Sequence, residues 1–280
     1  MIGSIKDALR KSPLIYGTWL TLRCLRVKGY IFVASTGRSG TQSLSRIFKA
    51  ADNAICVHEP VPVMYSDYPA GVDKKSYFQE LFYKEKKNAI RRKAKTHNYY
   101  VETNHQFVKN FAELAIDYFK DKIRVIHLIR DPVKVATSFY KINSIPGKSF
   151  RGRRYLLDPL ASDNRLDLSD LFGESGPLDH DYYRCLWYWY EIEARIKALK
   201  EKFPHMRWFT LRTEDLNSEV RLMEMFEALG VKYSIDQLRE LVCTRVNLQL
   251  KDKQWNIDSR EQVEMHEKFV KLIQERLAVN

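Results

Sequence analysis

The sequence predicts an α/β fold in which helices cover a central, mainly parallel sheet. Short apolar runs alternate along the chain with stretches of helical periodicity, and this alternation is typical of β-α units wound into a parallel sheet. The two strongest runs, residues 30–35 (YIFVAS) and 124–129 (RVIHLI), are largely apolar on both faces, as buried parallel strands are. No linker or repeat interrupts the alternation, so we expect residues 1–280 to form one domain.

Residues 1–29 precede the first strand and predict a helical segment that lies on the domain. Their apolar stretch, residues 14–22, contains Gly17 and Thr18 and is shorter than the roughly 18 residues of a membrane-spanning helix. A signal-peptide core is the alternative, because basic residues come before it, but no small-residue cleavage site follows. We therefore expect no transmembrane segment and a cytoplasmic protein.

The remaining elements follow from the same periodicities. Strands are predicted at residues 30–35, 54–57, 99–103, 124–129 and 207–211. Helices are predicted at residues 42–51, 74–95, 109–119, 133–140, 182–202, 218–229, 235–243 and 260–277. Residues 143–181 are rich in proline and glycine and predict an irregular insertion that caps the substrate pocket. The basic run at residues 84–95 is expected to form a solvated helix face.

Net charge narrows the range of ligands. Lysine and arginine number 47 against 35 aspartates and glutamates, a net charge of +12. Such a chain attracts nucleic acid, a membrane surface, or small molecules that carry phosphate or sulfate. Nucleic-acid binding by a sheet needs basic and aromatic side chains interleaved on its surface, whereas the predicted strands are apolar. We therefore expect no nucleic-acid partner, and a polyanion-binding protein remains an alternative.

Cysteine and histidine spacing argues against a metal site. The four cysteines are far apart and form no CxxC pair, which excludes the usual zinc ribbon or disulfide scaffold and fits a reducing compartment. The seven histidines include no HExxH motif, so no metal is expected.

A glycine-containing loop follows the first predicted strand and predicts a phosphate site. Its glycines let backbone N–H groups converge on an anion, and the start of the next helix adds partial positive charge. The Walker A pattern GxxxxGK[ST] is not met, because Thr41 stands where its lysine belongs. A P-loop kinase or NTPase therefore remains only an alternative. The candidate ligand residues of this loop are Thr36, Gly37, Arg38, Ser39, Gly40, Thr41 and Gln42.

A second anion-binding segment follows the strand at residues 124–129. Arg130 stands at the end of that strand, and Ser138 lies eight residues later, two turns into the next helix. Both side chains can reach one phosphate at the carboxyl edge of the sheet, where α/β proteins bind ligands. Arg153 belongs to a later basic cluster with Lys148, Arg151 and Arg154, which either clamps the same phosphate or is a solvated turn.

Together, TGRSGTQSL at residues 36–44 and VIHLIRDPVKVATSFY at residues 125–140 resemble the sulfotransferase family, in particular its soluble bacterial members that act on small molecules. LRTEDL at residues 211–216 is a weaker match. The resemblance covers about residues 30–145 and 182–230. It implies a P-loop-like fold of three layers and transfer of a sulfuryl group to a hydroxyl or amine of a small-molecule acceptor. The implied donor is 3′-phosphoadenosine-5′-phosphosulfate (PAPS), with adenosine 3′,5′-bisphosphate (PAP) as product and no metal.

The resemblance also implies roles for individual residues. The first loop would hold the 5′-phosphosulfate, and Arg38 would stabilise the charge that builds on the departing oxygen. Arg130 and Ser138 would hold the 3′-phosphate. The acceptor also needs a base, for which two candidates stay open: Glu59 in His58-Glu59-Pro60, and His105 after the third strand.

Residues 158–181 reverse the charge of the chain locally, with seven acidic residues and Arg165 as the one basic residue. If this stretch caps the acceptor pocket, it favours a cationic or neutral acceptor, such as a metabolite modified in natural-product biosynthesis. A solvated acidic loop is the other interpretation. A carbohydrate-directed sulfotransferase remains an alternative within the family.

Overall fold

The computed structural model of the protein describes residues 13–172, 176–243 and 257–279. Its centre is a sheet of five parallel strands in the order β2-β3-β1-β4-β5. The predicted fold class is therefore confirmed. The strands are β1 (Gly29–Ala34), β2 (Ala54–His58), β3 (Tyr99–Thr103), β4 (Ile123–Ile129) and β5 (Arg207–Arg212).

Helices follow the strands in the alternating order that the sequence predicts. Most predicted boundaries lie within a few residues of the observed ones. The helices are α1 (Pro13–Cys24), α2 (Thr41–Ile47), α3 (Lys74–Leu81), α4 (Lys87–Ala94), α5 (Ala112–Phe119), α6 (Pro132–Lys141), α7 (Phe150–Tyr155), α8 (Asp181–Lys202), α9 (Glu219–Ala228), α10 (Ile235–Cys243) and α11 (Ser259–Val279).

Strand β1 shows why the sheet is covered on both faces. Its residues are all buried, and successive side chains point to opposite faces. Ile31 and Val33 pack with Leu44 of α2 in one apolar cluster. Phe32 packs in the other cluster, where its ring stacks on Phe107 with 4.8 Å between the ring centroids. The apolar run at residues 30–35 thus supplies both layers of core.

The connections of β1 and β4 leave the sheet on opposite faces. Helix α2, which follows β1, belongs to the same apolar cluster as Ile31, whereas Val135 of α6, which follows β4, belongs to that of Phe32. Because β1 and β4 are neighbours, their carboxyl ends frame a crevice between the two helices. Open parallel sheets bind ligands at such a point.

The predicted helix at residues 74–95 is divided, and one lysine of its basic run departs from the solvated face that the sequence predicts. A π-helical turn, Phe82–Lys86, separates α3 from α4. Lys86 is buried and forms an ion pair with Glu102 of β3, with 2.6 Å between Nζ and Oε1. A buried carboxylate requires a cationic partner. This one lysine of the run therefore points into the protein and contacts the sheet.

At its N-terminal end the described chain begins with α1, where Leu20 is buried. Residues 1–12 of the predicted N-terminal segment lie outside the described residues. Residues 143–172 and 176–181 are mostly irregular, as predicted, but contain the short helix α7 and a 3₁₀ turn, Ser169–Leu171. Within the described ranges, no helix is long and apolar enough to cross a membrane.

Candidate functional site

A cavity of about 850 Å³ opens at the carboxyl ends of the strands. It brings together segments that are far apart in sequence: the loop after β1, the ends of β2 and β4, and parts of α7 and α10. The predicted site residues that line it are Gly37, Arg38, Gly40, Thr41, Gln42, Glu59, His105 and Arg130. Four predicted residues are not in its lining: Thr36, Ser39, Ser138 and Arg153.

The hydroxyls of Thr36 and Ser39 brace the loop after β1 from inside. Thr36 Oγ1 donates to the carbonyl oxygen of Gly37 at 2.7 Å, and Ser39 Oγ donates to the same oxygen at 3.1 Å. Both side chains are buried. These two side chains therefore shape the loop and do not line the cavity, and an anion contact at Thr36 and Ser39 through their backbone N–H groups stays a prediction.

The loop needs its glycines. Gly37 and Gly40 have φ angles of 80° and 93°, a region that glycine adopts without strain. A Cβ atom on Gly40 would lie 2.8 Å from Cδ1 of Leu216, and one on Gly37 would lie 3.2 Å from the ring of His105. Arg38 between them also has a positive φ, 57°. Backbone strain of this kind is typical of ligand-binding turns.

Arg38 joins the two anion-binding segments predicted from the sequence. Its Nε donates to Oγ of Ser138 at 2.9 Å, and Nη1 of Arg130 donates to the carbonyl oxygen of Arg38 at 2.7 Å. Ser138 thus acts on the cavity through Arg38, whose guanidinium it orients. The loops after β1 and β4 therefore form one unit across the crevice.

Three arginines converge on this unit. Burial lowers the pKa of Arg38, and the positive charges of Arg130 and Arg151 lower it further. Among the described residues, no carboxylate forms an ion pair with any of the three. Guanidinium groups that repel one another in a half-buried cavity are stabilised by an anion, and their forked N–H donors suit phosphate and sulfate oxygens.

Arg151, rather than Arg153, faces the cavity from α7. Positions 151 and 155 lie on one side of this helix because they are four residues apart, and both Arg151 and Tyr155 line the cavity. Arg153 lies on another side, where its Nη1 donates to the carbonyl oxygen of Lys148. The predicted basic cluster therefore reaches the site, but through a different arginine.

The two candidate bases lie side by side. Glu59 follows β2 with a φ of 44°, and its N–H donates to the carbonyl oxygen of Thr103 at 3.4 Å. This strained turn brings Oε1 of Glu59 to 3.4 Å from Nε2 of His105. The carboxylate and the imidazole, which come from different strands, therefore act on the same part of the cavity.

His105 is held neutral. Burial lowers its pKa well below the usual range of histidine, and the charges of Lys109, His58 and Arg38 lower it further. A neutral imidazole donates one hydrogen bond and accepts one. Which of its nitrogens carries the proton therefore decides whether Nε2 can donate to the Glu59 carboxylate, which only accepts.

The turn that carries Glu59 is fixed by Lys86. The Nζ of this lysine donates to the carbonyl oxygens of Pro60, at 3.3 Å, and Pro62, at 2.9 Å, besides its ion pair with Glu102. The sequence contains one signal for the buried position of Lys86. Glu102 is a lone glutamate in a predicted strand, and a buried carboxylate requires a cation nearby.

Helix α8 supports both anion-binding loops from behind. The four consecutive aromatic residues at positions 187–190 do not line the cavity, but two of them form hydrogen bonds with the loops that do. The hydroxyl of Tyr188 donates to the carbonyl oxygen of Thr36 at 3.0 Å, and Nε1 of Trp189 donates to that of Arg130 at 2.8 Å.

The weakly matching segment LRTEDL also touches the site. Thr213 lines the cavity, and its hydroxyl donates to the carbonyl oxygen of Ser39 at 2.8 Å. Further lining residues that the sequence interpretation missed are Arg46, His58, Asn217, Leu241 and Val242.

The acidic stretch forms ion pairs elsewhere and does not line the cavity. Asp163 pairs with Lys74 at 2.8 Å, and Asp181 pairs with Lys148 at 2.8 Å. None of its described residues is part of the lining, and Glu174 lies outside the described residues. The expectation that this stretch selects a cationic acceptor therefore loses its basis, since the charges that face the cavity are mostly positive.

A metal site would need several ligating side chains close together. In the part of the chain that the structure describes, no group of three or more histidine, cysteine, aspartate or glutamate side chains is arranged to hold a metal ion.

Comparison with solved structures shows where else this fold occurs. The structure is similar to the sulfotransferase from Alicyclobacillus acidocaldarius, with a TM-score of 0.51 and 15% identity over 90% of this chain and 96% of that one. Two further structures are the sulfotransferase domain from the curacin biosynthetic pathway (TM-score 0.46, 15% identity, 82% of this chain and 81% of that one) and the sulfotransferase domain from the Synechococcus PCC 7002 olefin synthase (TM-score 0.46, 13% identity, 86% and 94%).

No curated protein sequence matches the chain. The sulfotransferase domain family matches residues 28–276, a range that includes all five strands and every residue named above as lining the cavity. The chain therefore belongs to the sulfotransferase domain family.

Proposed function

We propose that this sulfotransferase uses PAPS as donor and transfers its sulfuryl group to a hydroxyl or amine of a small-molecule acceptor. One observation carries the proposal: Arg38, Arg130 and Arg151 converge on one cavity beside the Glu59–His105 pair. The guanidinium groups suit the phosphates and sulfate of the donor. The carboxylate and imidazole suit removal of a proton from the acceptor.

The donor fits the anion-binding side of the cavity. In this proposal the 5′-phosphosulfate lies on the loop between Gly37 and Gln42, where the first N–H groups of α2 have no acceptor within the helix. Arg130 and Arg151 bind the 3′-phosphate, and Ser138 holds Arg38 at the reacting centre. A volume of about 850 Å³ lies within the usual range for ligand pockets.

The reaction is an in-line displacement at sulfur. The acceptor O–H bond breaks, its proton passes to the Glu59 carboxylate, and a new O–S bond forms as the bond from sulfur to the 5′-phosphate oxygen of PAP breaks. Negative charge builds on that oxygen, and the Arg38 guanidinium stabilises it. No step of this scheme uses a metal.

We place the protein in the reducing cytoplasm. Supporting this, Cys24, Cys56 and Cys185 are free thiols.

Calorimetry with three ligands tests the proposed function. We expect PAP to bind without magnesium, and ATP with magnesium and single-stranded RNA to bind far more weakly. Magnesium-dependent ATP binding would instead indicate a kinase or NTPase, and salt-sensitive RNA binding alone would indicate a polyanion-binding protein. A screen of desulfo-metabolites with PAPS, read by the mass shift of one sulfuryl group, then identifies the acceptor.

The 3′-phosphate contact gives a first specific prediction. Arg130→Ala should weaken PAP binding by about 1.5–3 kcal/mol, because a hydrogen bond to a charged group is lost, and Ser138→Ala should weaken it less. Calorimetric titration with PAP measures both.

Adenosine 5′-phosphosulfate, which lacks the 3′-phosphate, is the control ligand for Arg130→Ala. Its binding should hardly change. Equal losses for both ligands would instead show that Arg130 acts through the carbonyl oxygen of Arg38, to which its Nη1 donates.

Arg151 and Arg153 form a matched pair on α7. Arg151→Ala should weaken PAP binding by about 1–3 kcal/mol, since its guanidinium faces the cavity. Arg153→Ala removes the same charge from the same helix and should leave PAP binding within about 0.5 kcal/mol of wild type. The reverse order of effects would restore Arg153 as the ligand.

A further inference from the structure

Lys109 lies behind the candidate bases, outside the lining of the cavity. It belongs to the π-helical turn Phe107–Phe111 and is buried. Its Nζ is 2.9 Å from Nδ1 of His105 and 3.1 Å from the hydroxyl oxygen of Tyr188, and it also contacts the carbonyl oxygen of Tyr155. A lysine so placed contacts the candidate bases through His105.

The three contacts match the three N–H donors of an ammonium group. The carbonyl oxygen of Tyr155 can only accept. The hydroxyl of Tyr188 donates its own hydrogen to Thr36, so its oxygen accepts from Lys109. The third N–H then points at Nδ1 of His105, which must accept. A neutral imidazole with Nδ1 as acceptor carries its proton on Nε2, the atom that faces Glu59.

A deprotonated Lys109 reverses this arrangement. Its two remaining N–H groups satisfy Tyr155 and Tyr188, and its lone pair faces Nδ1 of His105. The imidazole proton must then lie on Nδ1, and Nε2 turns a lone pair toward the Glu59 carboxylate. The charge of the lysine thus decides whether His105 donates to Glu59.

We propose that Lys109 is a positioning residue for sulfuryl transfer: its ammonium holds His105 in the Nε2–H tautomer, and this N–H orients the Glu59 carboxylate toward the acceptor proton. The inference rests on the proposed function and assigns different tasks to the two candidate bases. Glu59 takes the proton, and His105 holds Glu59.

The surroundings of Lys109 determine the pH above which its ammonium, and with it the Nε2–H tautomer of His105, is lost. Burial lowers the pKa of Lys109 well below its usual range, Arg195 and Lys74 lower it further, and Glu59 acts in the opposite direction. The ammonium is therefore lost at lower pH than that of a surface lysine. As pH rises through the pKa of Lys109, His105 should change tautomer and activity should fall.

The tautomer of His105 can be measured without any substrate. We expect ¹⁵N imidazole spectra of the labelled protein, with His105 assigned from its absence in His105→Gln, to show the Nε2–H tautomer at low pH and the Nδ1–H tautomer at high pH. In Lys109→Met this switch should be absent. Because the protein is free of ligand, the result does not depend on whether PAPS is the donor.

Kinetics give the second measurement. Lys109→Met should lower kcat by roughly 10-fold to 100-fold, as misplacement of a catalytic group does, and should abolish the alkaline fall in the kcat profile. The chain offers a matched control in a second lysine–histidine–glutamate group outside the cavity lining, where Lys200 contacts His127 at 3.1 Å and His127 contacts Glu193 at 2.9 Å. Lys200→Met should leave the profile unchanged.

Two results would overturn the proposal. One is a wild-type His105 whose tautomer stays the same across the pH range, a measurement that needs no variant at position 109. The other is a tautomer switch that persists in Lys109→Met. Either result, obtained with a protein that still binds PAP and transfers sulfuryl groups, would reject the role of Lys109 and leave the proposed function standing.

Discussion

Arg38→Ala is expected to lower kcat by about 10²–10³, or about 2.7–4 kcal/mol of transition-state stabilisation, while the protein stays folded. The physical reason is the charge that builds on the departing phosphate oxygen. Arg38 is the arginine of the loop after β1, and Ser138 fixes its guanidinium through a hydrogen bond of 2.9 Å. Single-turnover kinetics with saturating PAPS measure the chemical step directly.

Arg38→Lys and Ser138→Ala are the companion variants. Lysine keeps the charge but has no Nε–H that could donate to Ser138 while its ammonium points into the cavity. The turnover of Arg38→Lys should therefore lie between those of Arg38→Ala and wild type. Ser138→Ala keeps the guanidinium but frees it, and should cost less than Arg38→Ala. Near-native turnover in Arg38→Ala would remove this residue from the reacting centre.

The anion-binding half of the site could be predicted because its residues lie close together in the sequence, directly after apolar strands. Gly37, Arg38 and Gly40 follow an apolar strand within a few residues, and Arg130 stands directly after another. Parallel strands carry their ends to a common edge, so two such loops on neighbouring strands meet. The core strand β1 was predictable for the same reason, since an apolar run on both faces requires cover on both.

The residues behind the site were not predictable, because each depends on a local departure from regular periodicity. Lys86 faces inward because of a π-helical turn in what the sequence presents as one polar helix. Lys109 lies on a second such turn. Arg151 faces the cavity because residues 150–155 form a short helix inside a stretch whose prolines and glycines predict none.

The acidic stretch shows the limit of composition as a guide. Seven acidic residues in a basic chain indicate a charged surface, but composition does not indicate which cations they meet. Asp163 and Asp181 meet lysines of other segments at 2.8 Å. The ion pair with Lys74 of α3 binds the insertion to the rest of the domain, whereas Lys148 lies within the insertion itself. The cavity keeps its positive character.

Glu59→Gln should have the largest effect of all on chemistry, a fall in kcat of about 10²–10⁴ with PAP affinity near that of wild type. A hydroxyl acceptor must lose its proton as the O–S bond forms. Glutamine keeps the shape of the side chain and can still accept from Nε2 of His105, which lies 3.4 Å away, but it cannot take the proton. Comparing kcat with the Kd for PAP separates this loss from a binding defect.

The control for Glu59→Gln is Glu193→Gln, which removes a carboxylate from the remote group in which Glu193 contacts His127 at 2.9 Å and should leave kcat unchanged. His105→Ala should lower kcat less than Glu59→Gln, because it removes only the group that orients the base. An essential His105 with a dispensable Glu59 would assign the base to the imidazole. If neither substitution mattered, two explanations would remain: an amine acceptor that is already neutral at the working pH and needs no carboxylate to form the bond to sulfur, or a base within residues 143–181.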